Sequence, residues 1–141
     1  MAQEIAPADK LALARRSYAA FSDGPDVAAI LPLYHPECEW RMGHAGAAMG
    51  TEAFRGHDGL RTFVSEVGEG FDTFATEIKE ARICRDGRLL VHGDVIARSR
   101  GTHLELTMEA WQEAEFRDGL IFGITQLATP PVGWDEATPV A

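Results

Sequence analysis

Leu11, Ala14, Tyr18 and Phe21 recur three or four residues apart between Asp9 and the stop Ser22-Asp23-Gly24-Pro25. That spacing puts them on one stripe of a helix over 10–21. Asp26 is a good cap for a second, shorter helix with the face Val27, Ile30, Leu31 and Tyr34, which His35-Pro36 ends because a residue before proline is steered away from helix. Residues 37–42 alternate and predict a strand, with Cys38, Trp40 and Met42 on one side. The stretch 43–56 is rich in glycine and alanine without a period and reads as a loop overhanging a pocket. Leu60, Phe63, Val64 and Val67 then mark a third helix over about 58–69.

From Phe71 onward the period changes to two, punctuated by Asp86-Gly87, Gly101-Thr102 and Asp118-Gly119, each a signal for a tight hairpin. About three helices followed by a strand meander predict an α+β domain, with the helices packed on one face of a curved antiparallel sheet. The domain spans 1–128, and 129–141, with three prolines, is an irregular tail.

A turn at Gly101-Thr102 sets Arg98 opposite Glu105, Ile96 opposite Thr107, Asp94 opposite Glu109 and His92 opposite Trp111. The other side then collects Val91, Gly93, Val95 and Ala97 with Leu104, Leu106, Met108, Ala110, Gln112, Ala114 and Phe116. That second set is apolar except for Gln112 and is expected to face the core, where a buried amide needs partners from protein, water or ligand. Slipping the register by one residue would exchange the faces. Trp111, with Ile96, is left on the outer face as a candidate homodimer contact.

At 141 residues the chain has room for one core, since a domain of this size buries about 70% of its unfolded surface. The net charge of −9 repels phosphate backbones and anionic membranes, so neither nucleic acid nor membrane is an expected partner. The polar, acidic start and the unpaired, widely separated Cys38 and Cys84 predict a cytoplasmic protein without disulfides. His44, His57, His92 and His103 lack metal-ligand spacing, and neither a phosphate-binding loop nor a serine elbow is present; no metal or cofactor is expected. His57, following Gly56 at the start of the third helix, suits a bond to the turn better than catalysis.

Three stretches, Tyr34-His35-Pro36-Glu37-Cys38-Glu39-Trp40, Phe54-Arg55-Gly56-His57-Asp58-Gly59-Leu60 and Phe116-Arg117-Asp118-Gly119-Leu120-Ile121, resemble in order and spacing the SnoaL-like branch of the nuclear transport factor 2-like superfamily. The resemblance implies a cone-shaped α+β barrel, a fold that hosts polyketide cyclases, isomerases, hydrolases and non-catalytic dimerisation or scaffold domains. By similarity to ketosteroid isomerases, Tyr18 falls at the oxyanion-hole tyrosine and Gln112 at the protonated aspartate, whereas Met42 stands where that family has its general base. Steroid isomerase activity is therefore disfavoured. The Asp-Arg-Asp arrangement of limonene epoxide hydrolase would need Asp94 and Arg98 in the pocket, and the hairpin places both outside.

The expectation is a small-molecule binding protein or enzyme of cyclase, isomerase or related lyase or hydrolase type. Its ligand is an apolar or mixed-polarity organic molecule lined by Tyr18, Trp40, Met42, Phe63, Met108, Gln112 and Phe116, with Tyr18, Gln112 and His57 as the candidate catalytic groups. The alternative is a dimerisation or scaffold domain using the outer sheet face.

Overall fold

The computed structural model describes residues 5–41 and 53–140. Helix α1, Pro7–Ser22, begins earlier than the apolar stripe implied: Pro7 occupies its first turn after Ala6, and Asp9 lies inside the helix, where its charge complements the dipole. The stripe Leu11, Ala14, Tyr18 and Phe21 is buried as its spacing requires. Helix α2, Val27–Ile30, is capped by Asp26, whose Oδ1 accepts from Ala29 N at 3.3 Å, and continues as a single 3-10 turn over Leu31–Leu33. Strand β1, Tyr34–Arg41, and the short strand β2, Ala53–Arg55, precede helix α3, Gly56–Gly70, which buries Leu60, Phe63, Val64 and Val67.

The rest is sheet: β3 (Phe71–Ile83), β4 (Leu89–Ser99), β5 (Glu105–Arg117), β6 (Leu120–Leu127) and β7 (Thr138–Pro139). The spatial order is β2-β1-β6-β5-β4-β3-β7. Every neighbouring pair is antiparallel except β1 and β6, which run parallel because α3 and the three longest strands intervene between them. Helix α1 lies on β3 with lighter contact to β4 and β6, while α3 packs on β1, β2 and β3, so one concave face carries the helices. The molecule is the expected α+β arrangement, an unclosed curved sheet with helices on its hollow side.

The β4–β5 register is the one the turn signal implied, with Arg98 opposite Glu105 and His92 opposite Trp111. The connection itself is wider than two residues. Ser99 N donates to Leu104 O and His103 N to Ser99 O, both at 2.9 Å, leaving Arg100 to His103 as a four-residue loop with His103 at φ 59°. Removing one residue from each strand, Arg100 and His103, as a pair leaves the parity, and hence the faces, unchanged.

One expectation about that hairpin is corrected. Leu104, Leu106 and Met108 share the concave side with Gln112 but are 72%, 59% and 47% exposed, not in the core. Strand β6 ends at Leu127 opposite Trp111, so the first half of β5 projects beyond it, and neither helix covers this stretch. Along β5, burial on the concave side begins at Ala110.

On the outer face the opposed carboxylates Asp94 and Glu109 each have a partner, Lys79 Nζ at 3.2 Å and His92 Nε2 at 2.9 Å. Residues 129–140 run back along the sheet: Arg82 Nη1 donates to Trp134 O at 2.7 Å with its guanidinium 4.1 Å from the indole centroid, and β7 pairs with the end of β3.

Candidate functional site

Three polar side chains line up across the concave face. Tyr18 projects from α1 because it belongs to the buried stripe of that helix, and Gln112 projects from β5 because it shares a face with Ala110 and Ala114. Tyr18 Oη donates to Gln112 Oε1 at 2.5 Å, and Gln112 Nε2 donates to Gln126 Oε1 on β6, also at 2.5 Å. Tyr18 and Gln112 are buried, and Gln126 is half-buried. A buried amide in an apolar strand face is costly unless paired, and here its oxygen and one N–H are both engaged.

A second polar group lies beside the first. Tyr34 Oη is 2.8 Å from Ser17 Oγ and accepts from Trp40 Nε1 at 3.2 Å. Burial pushes the Tyr34 hydroxyl up to about 12 against the smaller opposing effect of those two bonds, and burial raises Tyr18 further still, with the nearby Tyr34 adding to it. Both phenols are therefore neutral hydrogen-bonding groups at physiological pH.

Around this polar line the walls are aromatic. Trp40 and Phe63 stack with centroids 4.6 Å apart, Phe54 stands 5.1 Å from Phe63, and Phe21 stands 5.8 Å from it. The structure thus brings Tyr18 and Gln112 into direct contact and places Trp40 and Phe63 in the adjoining core. It does not gather all the lining residues at one point. Phe116 is four residues along β5 from Gln112, about 13 Å away at strand rise, beneath Lys10, whose Nζ is 5.5 Å from its ring centroid and donates to Gly87 O at 2.8 Å. Met108 is on the exposed stretch of β5, and Met42 lies outside the described residues.

His57 Nε2 donates to the carbonyl of Tyr34 at 2.9 Å, tying the start of α3 to the start of β1. Asp94 and Arg98 sit on the outer face, and Arg98 Nε lies 3.4 Å from Asp72 Oδ1. Among the described residues, no group of three or more His, Cys, Asp or Glu is placed to hold a metal ion, and no helix is long and apolar enough to cross a membrane. The buried polar side chains of the described concave side can donate to, accept from and polarise an oxygen atom. They present no buried carboxylate or imidazole with which to take a proton from carbon.

Gln126 is the residue that the sequence reading missed. Counting back from the Asp118-Gly119 turn puts Thr125 opposite Gln112 and turns Gln126 outward; a β-bulge at Phe122, opposite the step from Glu115 to Phe116, shifts the pairing so that Gln126 faces Gln112. The extra residue is Phe122, and Gly123 beside it, a glycine inside a strand, is the signal in the sequence that marks such a bulge.

The sequence matches the family model described as a SnoaL-like domain over residues 14–124. No curated protein sequence matches it significantly. Among solved structures, TerC co-crystallised with polyporic acid is similar at TM-score 0.71 and 22% identity, over 84% of this chain and 90% of that one. An NTF2-like protein of unknown function from Burkholderia pseudomallei K96243 is similar at TM-score 0.70 and 18% identity, over 84% and 88% of the two chains. A putative SnoaL-like polyketide cyclase from Shewanella denitrificans OS-217 is similar at TM-score 0.71 and 14% identity, over 86% and 90%. At these identities the likeness establishes the fold.

Proposed function

We propose that this chain, which belongs to the SnoaL-like domain family, is a cytoplasmic protein that binds a small, largely apolar organic molecule carrying an oxygen acceptor against its concave face. The observation that carries the reading is the Tyr18–Gln112 pair, a linked phenol and amide set in a mostly apolar buried surface. Gln112 retains a second N–H after its bond to Gln126, and the aromatic cluster around Phe63 supplies the flat apolar wall that such a ligand needs. TerC, of the same fold, was crystallised with polyporic acid, which makes that compound a suitable first probe. The free thiols of Cys38 and Cys84 suit a reducing compartment.

Binding and polarisation of an oxygen, rather than proton abstraction, is the chemistry this set of groups supports, since His57 is committed to the Tyr34 carbonyl. Calorimetric titration with polyporic acid tests the reading on the wild type and on Tyr18→Phe/Gln112→Leu, in which no buried phenol is left without its acceptor. Saturable binding that weakens about tenfold in the double variant, the worth of one net hydrogen bond, is expected. Absence of binding, or equal affinity in the two proteins, would sink it.

A second reading concerns the outer face, where Ile96 and Trp111 are only partly covered although Trp111 stacks on His92 at 4.6 Å. A second copy of the chain covering them would make a homodimer. Sedimentation should then find a dimer for the wild type and a monomer for Trp111→Glu; a variant that remains dimeric removes this interface.

A further inference from the structure

The line Tyr18–Gln112–Gln126 has a direction, and the direction follows from the chemistry of its first member. A phenol has one proton to give. Tyr18 Oη has Gln112 Oε1 as its acceptor among the described residues. Rotating the Gln112 amide end for end would turn its NH2 toward Tyr18 and leave the buried phenolic proton without an acceptor, which is penalised more heavily than a made bond is rewarded. Gln112 is therefore fixed with its oxygen toward Tyr18 and its NH2 toward Gln126. The same argument fixes Gln126: end-for-end rotation would oppose two NH2 groups at 2.5 Å.

The far end of the line is thus the NH2 of Gln126, for which no partner is found among the described residues. Gln126 stands one residue from the end of β6, on the concave side, across from Gln112. From Gln112 the same side of β5 runs through Ala110 to the exposed Met108 and Leu106. The donor is therefore at the boundary between the buried face and an apolar strip open to solvent.

We propose that the line is a directional relay and that the side-chain NH2 of Gln126 is the donor by which the protein selects ligands with a carbonyl-type oxygen over apolar ligands of the same shape. The inference rests on the binding reading above and adds to it the residue and the polarity of the contact. Donation through Gln112 from a buried phenol polarises each successive amide, which strengthens the terminal donor.

Two probes of one shape test it, 2-acetylnaphthalene and 2-isopropenylnaphthalene, which differ by an oxygen against a methylene. The wild type should favour the ketone by about tenfold, the factor of one net hydrogen bond. In Gln126→Glu the carboxylate still accepts from Gln112, but the far end of the line turns from donor to acceptor. Ketone affinity should fall about tenfold or more while alkene affinity stays within about twofold.

A second measurement is independent of whether that variant folds: in the wild type, the 15N-labelled side-chain amide of Gln126 should shift on titration with the ketone and not with the alkene. A wild type that binds both probes equally, or a Gln126→Glu protein that keeps the wild-type preference, overturns the relay and leaves the binding site standing. A wild type that binds neither probe in this test overturns the relay, and one that also fails to bind polyporic acid overturns the binding reading with it.

Discussion

Gly93→Ala should cost about 3–4 kcal/mol of stability, at the upper end for an added methyl group. A Cβ at Gly93 would stand 2.1 Å from Glu77 O, 3.0 Å from Glu77 C and 3.2 Å from Ile78 Cα, all atoms of the neighbouring strand's backbone. No rotamer change can relieve such a contact, because the groups in the way are the β3 chain itself. This is also where β3 carries a bulge, between Ile78 and Glu80, so the close approach belongs to the bend that makes the sheet concave. Urea unfolding of Gly93→Ala beside Gly101→Ala, where a Cβ meets nothing within 4 Å, separates the clash from the general effect of replacing glycine. The second variant should stay within about 0.5 kcal/mol of the wild type. A Gly93→Ala protein of equal stability would mean that β3 can move aside and that the bend is not fixed at this point.

Gln112→Leu should cost about 2–3 kcal/mol, even though it places an apolar side chain in an apolar face. It strips the acceptor from the buried Tyr18 hydroxyl and the donor from Gln126, and the unmade bond at Tyr18 outweighs the gain in apolar burial. Combining it with Tyr18→Phe removes the stranded hydroxyl as well. The double variant should recover part of the loss, with a coupling of about 1–2 kcal/mol in the cycle of four proteins. Strict additivity would show that Tyr18 finds another acceptor once Gln112 is gone, and the directional argument for Gln126 would lose its anchor. The same cycle fixes the stability background for the ligand measurements, since an affinity change in the double variant then reflects the site and not a loosened fold.

Much of the architecture is local and therefore readable. The stripes on α1 and α3 follow from residues three and four apart meeting on one face, and both were buried as the spacing demands. Asp26 caps α2 because its short side chain reaches the amide three residues on. Asp118 and Gly119 both take positive φ, 54° and 75°, as a two-residue hairpin of this type requires. The β4–β5 register survived a change of loop length from two to four residues, because parity alone decides which face a side chain takes. The sequence therefore determined that Tyr18 and Gln112 both point to the helix side.

Three things were settled only when the elements met. Alternation states a side, not whether anything lies over it, so Met108 was readable as concave but not as exposed; that depends on where β6 and the helices end. The parallel pairing of β1 with β6 joins segments about eighty-five residues apart in the chain, and no local pattern encodes a partner at that distance. The placement of Gln126 depends on a single extra residue, Phe122, opposite the step from Glu115 to Phe116, which reverses every face beyond it on β6. The chain by itself determined which side chains look inward. The tertiary structure decided which of them touch, because contact depends on bulges, strand ends and pairings that cost little locally and are fixed by the packing of the whole sheet.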